Sequence, residues 1–314
     1  MRTVGARKVG KMVGGVRARG KRRAAPWFSL CVLVLAGCHA GVASGANVVR
    51  DDLQRDIHFE HAPQRIVTLL PSLTETVCAL GACGRLVATD RYSNWPSQVL
   101  ALPKAGGLDD AEIELIVSLK PDLVLLSRSE RITDRLAELG IPSFALNTDR
   151  FADIARNITT VGNILGVPER ASILNDTITD EVNAIGAQAR AARHGAEPTV
   201  YFEVDPTPYA AGPGSFIGEL LTQLGTRNIV SADLGAFPKL NPEYVVRENP
   251  DVIFIADKDA QHLSDRPGWA DIRAVRERRL CSFESDVSDT IVRPGPRVAD
   301  GMHAMADCLR RVNP

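Results

Sequence analysis

One stretch of the sequence occurs twice, and that repeat constrains the fold more than any other feature. Glu114-Leu-Ile-Val-Ser-Leu-Lys-Pro121-Asp122-Leu-Val-Leu aligns without a gap on Glu243-Tyr-Val-Val-Arg-Glu-Asn-Pro250-Asp251-Val-Ile-Phe, and a segment ending Leu80-Gly81 corresponds to one ending Leu224-Gly225. Each copy reads as a short helix, a Pro-Asp turn and a buried strand, because proline cannot continue the helix and aspartate starts the turn. Around these copies short apolar runs alternate with helical stretches. Residues 66–70, 86–89, 123–126 and 143–146 read as strands; residues 111–119 and 132–139 read as helices. Pro71-Ser72-Leu73-Thr74-Glu75 reads as a turn capped into a helix by Ser or Thr, with an acid in its first turn. This alternation predicts an α/β fold with largely parallel sheets.

Between the copies the pattern changes. From Pro168 to about Ala192 there is no internal proline, and Leu174, Ile178, Val182, Ile185 and Ala189 fall on one helical face. At ~1.5 Å per residue such a helix is ~37 Å long, enough to cross a whole lobe. The alternation restarts at Thr199-Val200-Tyr201-Phe202. The expected organisation is a leader over 1–46, an N-terminal lobe over 48–166, a linking helix over 167–194 and a C-terminal lobe over 195–314.

The leader follows from charge. The whole chain has 37 basic and 38 acidic residues, but its first 46 residues hold nine basic and no acidic ones, leaving 28 basic against 38 acidic, a net of −10, for the remainder. That balance excludes a body held to nucleic acid by a basic field. Residues 27–37 (WFSLCVLVLAG) are about half the ~20 residues of a membrane-spanning helix. A basic start, a short apolar core and small residues after it form a secretory signal. Leu35-Ala36-Gly37-Cys38 has the form of a lipoprotein processing site, with Cys38 as the lipid-bearing first residue; the alternative is cleavage after Ala46. Either way the body works in the cell envelope. There Cys78, Cys83, Cys281 and Cys308 can pair in three ways, and Cys281 with Cys308, joining two segments of one half, is favoured.

An exported protein of two lobes on one helix is shaped to close on a ligand, and catalytic signatures are scarce. There is no G-x-S-x-G elbow, no H-E-x-x-H and no Walker A sequence. His58 and His61 precede a strand, where residues three apart point to opposite faces, so they read as surface hairpin histidines rather than metal ligands. His194, His262 and His303 are scattered. The stretch from Gly212 to Gly218 is glycine-rich but lacks a P-loop lysine. It reads either as a tight turn with Ser215 capping the next helix or as a loop lining a cleft at a strand's carboxyl end. Arg293 and Arg297 flank a proline-stiffened loop, placed either to meet anionic ligand groups or as solvated surface cations.

Taken in order, IVTLLPSLTE (66–75), YSNWP (92–96), ELIVSLKPDLVL (114–125), LGIP (139–142) and the long central helix resemble the substrate-binding proteins of ABC importers for vitamin B12 and iron siderophores, most of all the vitamin B12 branch. The likeness covers about residues 48–312. It implies two Rossmann-like lobes bridged by a rigid helix, a monomer that carries cargo rather than a cofactor, and no enzymatic activity. It also implies docking onto a permease dimer in the inner membrane through one acid per lobe, matched here by Glu114 and Glu243. Of the family's corrin-packing aromatics, Tyr92 matches one and Phe237 replaces a tryptophan, whereas Leu108 stands where another tryptophan is expected. Asp286 matches a ligand-contacting acid, and Tyr209 and Trp95 offer replacement aromatic area by position. The expected cargo is a cobalamin-like corrinoid. Leu108 and the two arginines favour a ferric siderophore or haem instead, and an envelope hydrolase is the remote alternative, for which no nucleophile and base pair is found.

Overall fold

The computed structural model describes residues 47–107, 110–128, 132–193, 197–206, 209–256 and 260–312. The leader with Cys38, and Leu108, lie outside them. The described chain opens with an antiparallel hairpin, β1 (Asn47–Arg50) and β2 (Asp56–Phe59). His58 lies in β2, and both it and His61 are exposed.

The first lobe follows as β3 (Ile66–Thr68), α1 (Pro71–Ala79), β4 (Leu86–Thr89), α2 (Ile113–Ser118), β5 (Leu123–Leu126), α3 (Thr133–Glu138) and β6 (Ser143–Ala145). Its four strands are all parallel, in the order β4-β3-β5-β6. The expected Ser or Thr cap on α1 is not what forms. Leu70 is the extended N-cap residue with no side-chain bond, and Pro71 begins the helix, where its missing N–H costs nothing. Glu75 thereby falls beyond the first turn and is buried.

Two packed helices, α4 (Phe151–Leu165) and α5 (Pro168–Ala192), lead into the second lobe. There the order is β7 (Thr199–Asp205), β8 (Tyr209–Ala210), α6 (Phe216–Gln223), β9 (Arg227–Asn228), α7 (Pro242–Glu248), β10 (Val252–Ala256), α8 (Arg273–Arg276), β11 (Leu280–Phe283), α9 (Ser285–Val292) and α10 (Val298–Val312). The parallel strands run β9-β7-β10-β11, the arrangement of the first lobe, and β8 adds an antiparallel pairing on β7.

The repeat is written in hydrogen bonds as well as letters. Asp122 accepts from the Gln64 and Arg65 N–H groups at 2.7 and 2.9 Å, just before β3. Asp251 accepts from the Thr199 N–H and hydroxyl at 2.8 and 2.7 Å, at the start of β7. Each Pro-Asp thus fastens the start of its lobe's first strand, a role beyond the turn that the sequence suggested. The residues just before these prolines, Lys120 and Asn249, both take a left-handed φ of 47°. Gly81 and Gly225 match too, at φ 77° and 74°. In each case an arginine of α5 or its C-cap reaches the nearby helix end: Arg170 donates to the Leu80 carbonyl at 3.2 Å, and the C-cap residue Arg193 donates to the Leu224 carbonyl and to that of Gly225 at 3.0 Å. Cations there meet the unsatisfied carbonyls of a helix terminus.

Strand side chains alternate between two cores in each lobe. Ile66, Leu123 and Leu125 share a single cluster with Val200, Phe202 and Phe254, completed by α4, α5, α6 and α10. Val67, Val124 and Leu126 face a separate first-lobe core, and Tyr201, Ile253 and Ile255 a separate second-lobe core. One core therefore runs from lobe to lobe. Each lobe carries one disulfide, Cys78–Cys83 and Cys281–Cys308.

Candidate ligand-binding cleft

In both lobes the strand order reverses beside the first strand, and open α/β sheets bind ligands outside the carboxyl ends of strands at such points. A cavity of about 510 Å³ lies there, after β3 and β4. Leu70, Ser72, Tyr92 and Asn94 line it from the first lobe, Asp289 and Arg293 from the second. Its volume is within the usual range for small-molecule sites.

Tyr92 is 58% exposed, an aromatic face left open at the cavity. Space beside it comes from Gly107, where a Cβ would stand 3.3 Å from the Tyr92 Cε2. Beneath it runs a buried polar chain. Thr68 Oγ1 and Thr74 Oγ1 are 2.6 Å apart, Thr74 Oγ1 and Ser93 Oγ 2.7 Å, and the Ser93 hydroxyl donates to Asp90. Asp90 also accepts from the Tyr92 N–H at 2.8 Å. Burial raises the Asp90 carboxyl above the usual carboxylate range, against the hydrogen bonds from Ser93 and Tyr92 and the charge of Lys104. Burial likewise lowers the Lys104 ammonium, which donates to Thr89 Oγ1 at 2.9 Å and to the Ser93 carbonyl at 2.8 Å.

Arg293 and Arg297 turn out to be neither open anion sites nor solvated surface cations. Both bond Glu75 of α1: Arg297 donates through Nε at 3.0 Å and Nη2 at 2.6 Å, and Arg293 through Nη1 at 3.1 Å. Arg293 further donates to Asn94 Oδ1 at 2.6 Å and to the Tyr92 carbonyl at 3.0 Å, and pairs with Asp289 at 2.6 Å. Arg297 also lies 5.0 Å from the centroid of the Trp95 ring. Glu75, Asn94 and Asp289 were not among the sequence candidates. Glu75 stood in plain view in PSLTE, but its partners lie 218 and 222 residues away, beyond any local pattern.

The remaining candidates are not among the residues that line this cavity. Phe237 is half-buried, with its ring centroid 6.3 Å from that of Phe216. Tyr209, in β8, is 41% exposed and bridges Lys239. Asp286 is exposed and lines a different hollow of about 460 Å³ together with Trp95 and Arg297. The Gly212–Gly218 stretch is a packed turn. The Gly212 N–H bonds the Ala236 carbonyl at 2.8 Å, the Phe216 N–H bonds the Asp149 carbonyl at 2.7 Å, and Ser215 Oγ caps α6 by accepting from the Gly218 N–H at 3.0 Å. Those N–H groups are spent, so they cannot cradle a phosphate. Glu114 and Glu243 occupy the first turns of α2 and α7, both exposed, with no ion-pair partner among the described residues.

The family described as "Periplasmic binding protein" matches residues 66–287, spanning both sheets and the helix between them. The chain belongs to that family. This binding protein is 28% identical over 311 residues to an ABC transporter substrate-binding lipoprotein, YvrC, of Bacillus subtilis, a match covering 92% of this chain and 98% of the relative. It is 26% identical over 257 residues to the vitamin B12-binding protein of Salmonella typhimurium, covering 81% of this chain and 92% of that one. Its fold matches the apo periplasmic heme-binding protein RhuT of Roseiflexus sp. RS-1 with a TM-score of 0.69 and 26% identity, over 80% of this chain and 99% of that one. The binding protein is accordingly a substrate-binding protein of the ABC transporter kind, and its relatives and structural neighbours include a vitamin B12-binding and a heme-binding protein.

Proposed function

We propose that the protein carries a cobalamin-like corrinoid in the cleft and delivers it to an ABC importer, docking through Glu114 and Glu243. The observation that carries the cargo assignment is the cavity of about 510 Å³ walled by the exposed Tyr92 ring. A corrin presents a wide apolar face that such a ring covers, and the vitamin B12-binding relative extends over most of both chains. The arginines that favoured an anionic siderophore are already neutralised by Glu75 and Asp289, which removes that support. Haem is the second reading, favoured by the likeness to a heme-binding protein. Phe237, Tyr209 and Asp286 are proposed to complete the site from the second lobe, with Leu108 as a further ligand-contacting residue. The protein reaches the envelope by its leader, held there through a lipid on Cys38, in keeping with the lipoprotein named among its relatives.

The test mixes the protein with cyanocobalamin, cobinamide, hemin and a ferric hydroxamate, followed by gel filtration. Corrinoid colour eluting with the protein is the expected result. Retention of hemin alone would replace the corrinoid with the second reading.

A further inference from the structure

Tyr92 is held at both of its peptide groups, from opposite lobes. Its N–H donates to Asp90 at 2.8 Å, within its own lobe. Its carbonyl accepts from Arg293 Nη2 at 3.0 Å, from the other. Two residues on, Asn94 makes the same crossing: its Oδ1 accepts from Arg293 at 2.6 Å and its Nδ2 donates to Asp289 at 2.9 Å. Arg293 is itself held by Glu75, only 3% exposed, which also takes Arg297. The two carboxylates and two guanidiniums balance in charge, so the cluster is neutral as it stands. Close backbone approach completes the arrangement, since a Cβ at Gly295 would stand 3.4 Å from the Ser72 Cα and carbonyl oxygen. A buried carboxylate shared by two arginines is costly to desolvate and costlier to break, because removing it takes the ion-pair partner from Arg297 and leaves Arg293 to Asp289 alone.

We propose that Glu75 is a positioning residue of the cleft. Acting through Arg293, it holds the loop that carries Tyr92 against the second lobe, and so fixes the aromatic wall before any cargo arrives. Glu75 is not among the residues lining the cavity; its effect on the site passes through Arg293, Tyr92 and Asn94. The wall is then preorganised, and cargo binding is spared the cost of ordering it.

Amide hydrogen exchange on the full chain tests this without any cargo, so its outcome is separate from the corrinoid reading. In Glu75→Gln, which keeps the shape and removes the charge, exchange over residues 90–95 and 289–297 is expected to quicken together by about tenfold or more. Exchange in β3 and β5 should stay at the wild-type rate. Asn94→Ala, which leaves the buried carboxylate intact, should quicken residues 90–95 to a lesser degree. It keeps the test open if Glu75→Gln does not fold. Unchanged exchange over residues 90–95 in Glu75→Gln, or in Asn94→Ala where that variant alone folds, overturns the proposal. So does uniform quickening through the strands, which would make Glu75 a general stabiliser.

Discussion

The two lobes agree where they are built and differ where they meet. Both fasten the start of their first strand with the aspartate of a Pro-Asp turn, through Asp122 and Asp251. Both have a helix end, at Leu80 and Leu224, held by an arginine at one end of α5. At the cleft the likeness stops. The first lobe supplies an exposed aromatic ring over a buried hydroxyl chain, and the second supplies two arginines that reach back to Glu75. Bonds that define the repeat concern backbone ends, which any copy of the fold must satisfy. Contacts at the cleft answer to a partner that differs on the two sides, and nothing holds them alike.

The sharpest break in that comparison comes from the docking acids, which are proposed to act as equals. Glu114→Arg with Glu243→Arg should reduce cargo uptake in cells to background while leaving retention of ligand on gel filtration unchanged. Each single reversal should fall between, by similar amounts; normal uptake by the double variant would refute the docking role.

Next in size are the disulfides, one per lobe but unequal in span. Cys78–Cys83 has a sequence separation of 5 and Cys281–Cys308 of 27. Chain-entropy arguments give ~3.5 kcal/mol for the longer loop and ~2 kcal/mol for the shorter. Denaturant titration of paired Cys→Ala variants should rank them so, and equal losses would mean that folded-state packing outweighs loop closure.

Smaller again is the difference between the strand-start aspartates. Asp251→Ala should cost about 1–2 kcal/mol in chemical denaturation, and Asp122→Ala less, because Asp122 is exposed and water can replace its bonds. Equal costs would show that exposure does not set the difference.

The smallest effect is in pH dependence, where two carboxyls work in opposite directions. Burial alone would raise Asp251, but the Thr199 N–H and hydroxyl with Arg273 outweigh it and hold the carboxyl below its usual range. Its stabilisation is therefore present above the ordinary carboxylate pKa and lost as pH falls through the lowered value. Asp90 is raised by burial, so the folded protein grips that proton more tightly than the unfolded chain does. Its contribution is present below the ordinary carboxylate pKa and lost as pH rises through the raised value. Thermal unfolding between pH 3 and 7 should show Asp251→Asn flattening the acid decline, and Asp90→Asn removing a decline toward neutrality. The reverse pattern would show the two assignments interchanged.

Features set by local chemistry were legible in the sequence. The strands at 86–89 and 123–126 and the helix from Pro168 to Ala192 lie where apolar spacing put them. Ser215 caps α6 and Asn241 caps α7, as side chains of that type do. The cap expected on α1 failed because Pro71 already supplies a helix start. In the cleft, Tyr92 was legible as an aromatic on a loop. Glu75 was not, since an acid near a helix start looks the same whether it faces water or two arginines of the other lobe. The Asp90 chain was equally hidden, because serine and threonine hydroxyls give no sign in sequence of which other hydroxyl they will meet.

The linking helix, fixed at one end through Arg170 and at the other through Arg193, works as an indexing shaft. Each residue of an α-helix advances the chain by ~1.5 Å and turns it by ~100°. A single insertion in α5 would therefore rotate one anchoring arginine about a quarter of a turn relative to the other. Under the proposed docking role, the angular setting of Glu114 against Glu243, and so the pitch at which a permease must present its own charges, is tied to the residue count of one helix. Point substitutions along that helix should leave the setting intact, whereas gain or loss of one residue resets it.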